Sequence, residues 1–333
     1  MLSPKPKAPH LLVSSSVRDV NRALLLASAK GYLHIVQWLH ANHVTAEVSR
    51  RVMDIAAAFG HFEIVKWLHK NRKEGCTEAA MTCACELGRL DIAQWLLENR
   101  TEGCATWTLR WILHTGELDV AKWLHANQLG GGCETSDMDD AAEKGRFDIV
   151  KFLHRNRTEG CTTNAMDKAA ERGHFEIVQF LHKHRTEGCT THAMDMAAAN
   201  GHLEVVVFLH ENRREGCTTQ AMDFAARAGH MRVIRWLQAF RREGCTIEAM
   251  NGAAKRNDME TMKFLHRVRS EGCTEVALQG AVMAENLEML DWLYEHYQSI
   301  FTLAAIKRGL HTANSRRFIE TTIWLLDIEK LIT

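Results

Sequence analysis

The sequence predicts an all-α solenoid of about eleven short helix-turn-helix repeats, and three columns of residues carry that expectation. Eight cysteines, Cys76, Cys104, Cys133, Cys161, Cys189, Cys217, Cys245 and Cys273, follow one another every 28 residues, with a single step of 29 between Cys104 and Cys133. An aromatic column keeps the same time: Trp38, Trp67, Trp95, Trp123, Phe152, Phe180, Phe208, Trp236, Phe264, Trp292 and Trp324. A glycine column, Gly31, Gly60, Gly88, Gly116, Gly145, Gly173, Gly201 and Gly229, stands near the middle of the units. A fixed period of roughly 20–50 residues marks a chain in which each unit buries its apolar face only against its neighbours.

Within a unit the pattern is helical. The unit from Cys161 to Gly188 reads CTTNAMDKAAERGHFEIVQFLHKHRTEG, and the next, from Cys189, reads CTTHAMDMAAANGHLEVVVFLHENRREG. Met166, Ala169 and Ala170 fall at i, i+3 and i+4, and Ile177, Val178 and Leu181 paint a second stripe, so two short amphipathic helices are expected. Gly173 separates them, at a place where a left-handed backbone suits glycine. Asn257 and Glu285 replace that glycine late in the chain, and the array is expected to loosen there. Thr162 or Thr163 caps the first helix, and Asp167, read as part of its first turn, favours the helix dipole and reaches back to a free amide. Glu187 and Gly188 close the unit. The small pair Ala169 and Ala170 lets the two helices approach, while the aromatic column fills the seam to the next unit.

Composition narrows the function. At 333 residues and 46% hydrophobic content the chain would suggest two or so ordinary domains, a count the repeats override. Its 41 Lys and Arg balance 41 Asp and Glu, so no overall field draws it to nucleic acid, anionic membrane or acidic substrate. No uncharged apolar run nears the roughly 18 residues that cross a bilayer. Met1 to Ser16 hold all three prolines and no signal-peptide stretch. Ten thiols without a paired framework point to a reducing compartment, the cytoplasm or the nucleus.

With that frame in view, AMDKAAERGHFEIVQFLH resembles the ankyrin repeat, whose pattern TPLHxAAxxGHxxIVxxLL it matches at AA, GH, IV and the closing leucine, in most units from about Asn21 to Tyr294. Two departures stand out. The TPLH tetrapeptide is missing, with Asp54, Asp139, Asp167, Asp195 and Asp223 at the position of its histidine. The unit is shorter than the family's 33 or so residues, and the loss falls in the connection that forms the family's projecting β-hairpin finger, so shortened loops are expected. The resemblance implies protein-protein recognition on the concave side, without a cofactor. It places partner contacts at the two variable residues before each turn glycine, among them Phe59, His114, Glu143, Lys144, Glu171, Arg172, Asn200 and Arg227.

Other chemistry meets obstacles. Units stack roughly 10 Å apart, whereas a disulfide needs alpha carbons within about 7 Å and zinc needs sulfurs at about 2.3 Å. The thiol column therefore reads as buried small side chains, and Cys83 and Cys85 beside Cys76 lack a histidine at ligand spacing. His174 and His182 lie about 12 Å apart along a helix and cannot share a metal. The two histidine columns read as rings that bond a neighbouring loop. A Cys-His pair recurs in nearly every unit, but a catalytic pocket is a single asymmetric place, so no enzyme is expected. Arg72, Arg100, Arg157, Arg185, Arg213, Arg241 and Arg269 could line an edge for phosphates or nucleic acid, the alternative reading. A glutamate two residues after each predicts instead a ladder of exposed Arg-Glu pairs.

One unit is irregular. From Cys104 to His125 it reads CATWTLRWILHTGELDVAKWLH, with Trp107, Arg110 and Trp111 in unusual places, and Leu129 to Gly132 carry the extra residue. This unit is either a local repacking with a joint or a partner hot spot, since Trp and Arg often anchor interfaces. The expected organisation is a tail over 1–19, an array over 20–294 and a capping repeat over 295–333, in which Phe318, Ile319, Ile323 and Leu325 close the last apolar face. Arg308, Arg316, Arg317, Glu329 and Lys330 supply its polar outside. The chain is expected to act as a monomeric protein-binding scaffold.

Overall fold

The computed structural model describes residues 17–43 and 48–332, and the helices within them form eleven antiparallel pairs. They divide into two compact units, Met1–Cys133 and Glu134–Thr333. The first holds α1 (Val17–Ala29) and α2 (Leu33–Asn42), α3 (Arg51–Ala58) and α4 (Phe62–Asn71), α5 (Glu78–Glu86) and α6 (Leu90–Asn99), and α7 (Thr108–Thr115) and α8 (Leu118–Ala126). The second begins with α9 (Thr135–Glu143) and α10 (Phe147–Asn156), α11 (Thr163–Glu171) and α12 (Phe175–His184), and α13 (Thr191–Ala199) and α14 (Leu203–Asn212). It continues with α15 (Gln220–Ala228) and α16 (Met231–Phe240), α17 (Ile247–Lys255) and α18 (Met259–Val268), α19 (Glu275–Met283) and α20 (Leu287–His296), and α21 (Leu303–Arg316) and α22 (Ile319–Ile332). There is no strand among the described residues, so the connections are short, as the truncated period requires. The expected tail lies mostly in residues 1–16, outside the described residues; α1 opens at Val17, inside the segment read as tail.

Each pair is built as the pattern dictates, with one correction. Thr162 is the residue that caps α11, its side chain accepting from the Asn164 amide at 3.1 Å. Ala169, Ala170, Ile177, Val178 and Leu181 are buried. Asp167, however, does not serve its own helix. It lies more than a turn inside α11 and points across the stack, accepting from the backbone N–H and the hydroxyl of Thr190 in the next pair, both at 2.8 Å. The same bridge joins Asp54 to Thr77, Asp139 to Thr162, Asp195 to Thr218 and Asp223 to Thr246. Asn251 takes the role toward Thr274, and Thr82 accepts from the Ala105 amide at 2.9 Å.

The turn glycine serves two purposes. Gly173 sits at φ +73°, and a Cβ there would press into the His202 ring of the next pair. That column of rings bonds the preceding pair as expected: His61 Nε2 reaches the Ala29 carbonyl at 3.1 Å and His174 Nε2 the Glu143 carbonyl at 3.0 Å. The second column packs edge-on against the next aromatic, as His69 does on Trp95 and His182 on Phe208. Three of its rings also bond the following connection as expected, His40 Nδ1 to Arg72 and His210 Nδ1 to Arg241, both at 3.2 Å, and His266 Nδ1 to the Tyr297 hydroxyl at 2.8 Å. Where asparagine and glutamate replace glycine, the turn keeps its hand, with Asn257 at φ +62° and Glu285 at +51°. The residue that follows then caps the second helix, Asp258 accepting from Thr261 N–H at 3.0 Å and Asn286 from Met289 N–H at 2.9 Å. Ala253, Ala254, Ala281 and Val282 stay buried around these turns, so the expected loosening is offset by local caps.

The Arg-Glu ladder exists, but it is not an exposed edge. Arg185 pairs with Glu187 while its guanidinium lies over Gly160 and Cys161 of the preceding pair. Glu187 also accepts from the Cys161 amide at 3.3 Å. Both side chains are only about one-fifth exposed, at 22%. All ten thiols are free, and burial pushes that of Cys161 up to about 12. The last pair also departs from expectation: Leu325 is buried and Phe318 half-buried, but Ile319 and Ile323 face outward and close nothing.

Two outcomes follow from this frame. Asp195→Ala leaves the Thr218 amide and hydroxyl without their acceptor and should lower the unfolding free energy by about 1–3 kcal/mol, read by chemical denaturation. Asp195→Asn should lose less, because Asn251 already holds the equivalent threonine. The second outcome concerns pH. Burial, with the Arg185 charge, holds His154 below its ordinary 6.5; burial also lowers His202, and burial with the His296 charge lowers His266. Below that value the unfolded chain binds more protons than the folded one, so the stability these rings contribute is present above 6.5 and lost as pH falls through their folded values. A second loss begins below 4.5, since the Arg100 hydrogen bond holds Glu102 to about 2 against desolvation. Denaturation midpoints should already be lower at about pH 5.5 than at about pH 7.5; equal midpoints would contradict the first loss.

Candidate interaction surface

The variable positions sit where the first helix of each pair ends and the turn begins. In the first unit Phe59 follows α3 and is exposed. Trp107 precedes α7 and is 51% exposed, and Trp111, one turn on, is 46% exposed. The Trp111 ring stacks on His114 with centroids 6.0 Å apart and planes 23° from parallel. Arg110, between the two tryptophans in sequence, is half-buried. The packing role in this pair falls instead to Ile112 and Leu113, which replace the small alanines and are buried. The glycine-rich loop folds back on α7: Leu109 N–H donates to the Gly130 carbonyl at 3.1 Å. A Cβ on Gly131 would collide with the Thr106 carbonyl. Repacking and exposed tryptophans are thus separate features of one pair.

Two further side chains extend this surface. Leu87 is exposed after α5, and Leu26 is exposed on α1. Leu26 stands five residues before its turn glycine, the position held by Ile55, Cys83 and Trp111 in the next three pairs. Of this column, the sequence singles out only Trp111. Its apolar run is nonetheless visible once the units are aligned on their glycines.

In the second unit the candidates are polar or charged, and several are tied to one another. Glu143 ends α9 and accepts from Arg172 at 3.1 Å across to the end of α11. Glu171 accepts from Lys168 at 2.8 Å, lies 3.9 Å from His192, and is held below the usual carboxylate range chiefly by that lysine bond. Asn200 donates to the Glu171 carbonyl at 3.1 Å. Arg227 stacks over Phe224 at 5.3 Å and lies 3.8 Å from Glu248. Lys144 is exposed after α9. The candidates therefore fall into two sets, an aromatic one in the first unit and an ion-paired one in the second. Among the described residues no group of three or more His, Cys, Asp or Glu side chains is arranged to hold a metal ion.

Comparison with known families decides the lineage. The ankyrin repeats (3 copies) match residues 24–106 and 138–223, just over half of the chain. The chain belongs to the ankyrin repeat family. A search of the curated proteins finds no match. Ankyrin repeats are in general protein-protein interaction modules, and this array keeps the frame of the repeat while replacing its histidine by the aspartate that bridges to the next pair. No helix of the described residues is long and apolar enough to cross a membrane.

If the two tryptophans stand outside the packing of this ankyrin repeat, removing them should leave the fold almost untouched. The double replacement Trp107→Ala, Trp111→Ala should shift the melting temperature little, whereas Leu109→Ala, at a buried position, should cost about 2–5 kcal/mol. A melting loss in the double variant as large as that of Leu109→Ala would assign the tryptophans to packing.

Proposed function

We propose that this ankyrin-repeat chain is a non-catalytic scaffold that binds a protein partner through the exposed side of its first helices. In relatives of the family that side is the concave face. The observation that carries the reading is the coexistence in one pair of a closed core, Ile112 and Leu113, with two large exposed rings, Trp107 and Trp111. Exposed tryptophan gives much contact area at small entropic loss, and such residues dominate interfaces. Phe59 and Leu87 supply neighbouring apolar contacts, and His114 orients the Trp111 ring. In the second unit Glu143, Lys144, Glu171, Arg172, Asn200 and Arg227 form a polar surface whose internal bonds favour selectivity over affinity. Free thiols throughout suit a reducing compartment.

The alternative, a nucleic-acid or phosphate ligand along the arginine edge, finds fewer available donors. Each arginine of the column is already engaged by its glutamate and lies over the preceding glycine and cysteine where these are in contact.

Affinity purification with mass spectrometry, run in parallel on the unaltered chain and on the Trp107→Ala, Trp111→Ala variant, tests the proposal. The partner should be lost from the variant, since a hot-spot truncation costs about 2 kcal/mol or more, roughly thirtyfold in affinity. Equal recovery of every protein by both chains would remove the tryptophans from the interface. Recovery of nucleic acid that weakens steeply with salt would favour the arginine edge.

A further inference from the structure

Inside each unit, successive second helices are joined by an aromatic clasp. The late aromatic ring of one pair enters between two side chains, seven residues apart, on the preceding second helix. Trp95 lies 6.0 Å from Phe62 and 5.1 Å from His69. Phe180 lies 5.5 Å from Phe147 and 5.3 Å from His154, and Phe208 lies 5.6 Å from Phe175 and 5.5 Å from His182. Seven residues are close to two helical turns, so the two jaws stand on one face. Aliphatic jaws serve as well. Where Leu90 and Leu97 hold the two positions, Trp123 of the next pair is still half-buried, with its indole N–H donating to Gln94 at 2.8 Å.

Two halves of this clasp stand open. Trp38 holds the ring position on α2 yet is 51% exposed, and Ile35 is 37% exposed where its counterpart Ile64 is 1% exposed. Within each unit, these are the positions that a later pair covers with the pair before it. On α22, Ile319 and Leu326 are seven residues apart and occupy the jaw positions. Both are exposed, Ile319 at 70%.

We propose that copies of this chain associate head to tail, the Trp38 face of one copy seating between Ile319 and Leu326 of another. The contact repeats, between chains, the ring-and-jaws packing that joins pairs within each unit. It uses neither Trp107 nor Trp111, and it departs from the monomer expected from sequence. Because the two surfaces differ, the interface is heterologous, so each added copy presents a fresh open face and growth does not stop at two. The occupant is a second copy because the chain itself carries both complementary halves.

Sedimentation velocity over a dilution series tests this on the full chain. The mean mass should rise with concentration and pass that of a dimer. Trp38→Asp and Leu326→Asp should each stay monomeric throughout while keeping the helical circular dichroism and melting temperature, since both positions are exposed. Mixed together, the two variants should form a complex of two copies that grows no further, because only one intact ring face and one intact pair of jaws remain. A photo-cross-linking residue at position 38 should capture the segment 319–326 of another copy. An unaltered chain that stays monomeric at every concentration would overturn the proposal. So would variants that fail to complement each other, which indicates symmetric pairing, or cross-links from position 38 to residues 1–16 of the same chain.

Discussion

The structure depends on register: within each unit a helix pair leaves groups that only the next pair, one period further on, can satisfy. Asp167 needs Thr190, the Glu143 carbonyl needs the His174 ring, and the Cys161 amide needs Glu187. The aromatic ring needs jaws on the helix before it. All four contacts join residues 23 to 33 positions apart, so a residue inserted inside a helix would break several of them together. The single step of 29 falls in the loop around Gly130 to Gly132, where Gly130 and Gly131 are left-handed and the chain returns to α7.

Individually these contacts are modest, near 1 kcal/mol for an ordinary hydrogen bond. Their effect comes from repetition, since a stack of this kind gains stability junction by junction. The substitutions along the frame follow the same logic. Asn251 preserves the bridge to threonine with a neutral side chain. Asn257 and Glu285 hold a left-handed turn that costs an ordinary residue roughly 1–2 kcal/mol, and the caps from Asp258 and Asn286 return part of it. Exposed charges such as Arg172 and Glu143 add little to stability, which leaves their identity free to vary.

Much of this was legible in the sequence because the period is strict. The helix pairs, the buried alanines, the turn glycines and the ring seam all follow from columns that repeat in phase. What could not be read was direction. Asp167 is compatible with capping its own helix until the neighbouring pair shows a nearer donor. Arg185 and Glu187 look like an exposed pair until the guanidinium is seen lying over Gly160. Trp111 could have packed or faced outward, and its exposure beside the buried Ile112 and Leu113 separates the two. Ile319 and Ile323 carry the composition of a closing face, yet an apolar side chain says nothing about whether a partner lies opposite. Leu26 shares a column with Ile55, Cys83 and Trp111, but a column of mixed composition does not announce which of its members is exposed.

The repeated polar groups bear on chemistry as well as on stability. A nucleophilic thiol needs to lose its proton near neutrality. Burial moves the thiols the other way, Cys161 and Cys189 to about 12 and Cys217 and Cys245 to about 11. The histidines whose acidity is displaced are held neutral, and the ladder glutamates are held ionised by bonds they already make. Such groups are committed to the frame, and the Asp–Thr bridge uses its aspartate in the same way. The side chains that the frame does not use include Trp107 and Trp111, the exposed Leu26 and Leu87, and Trp38, Ile319 and Leu326 at the two ends. A binding surface requires only that such side chains be exposed and held in place, and both conditions come from the stacking itself.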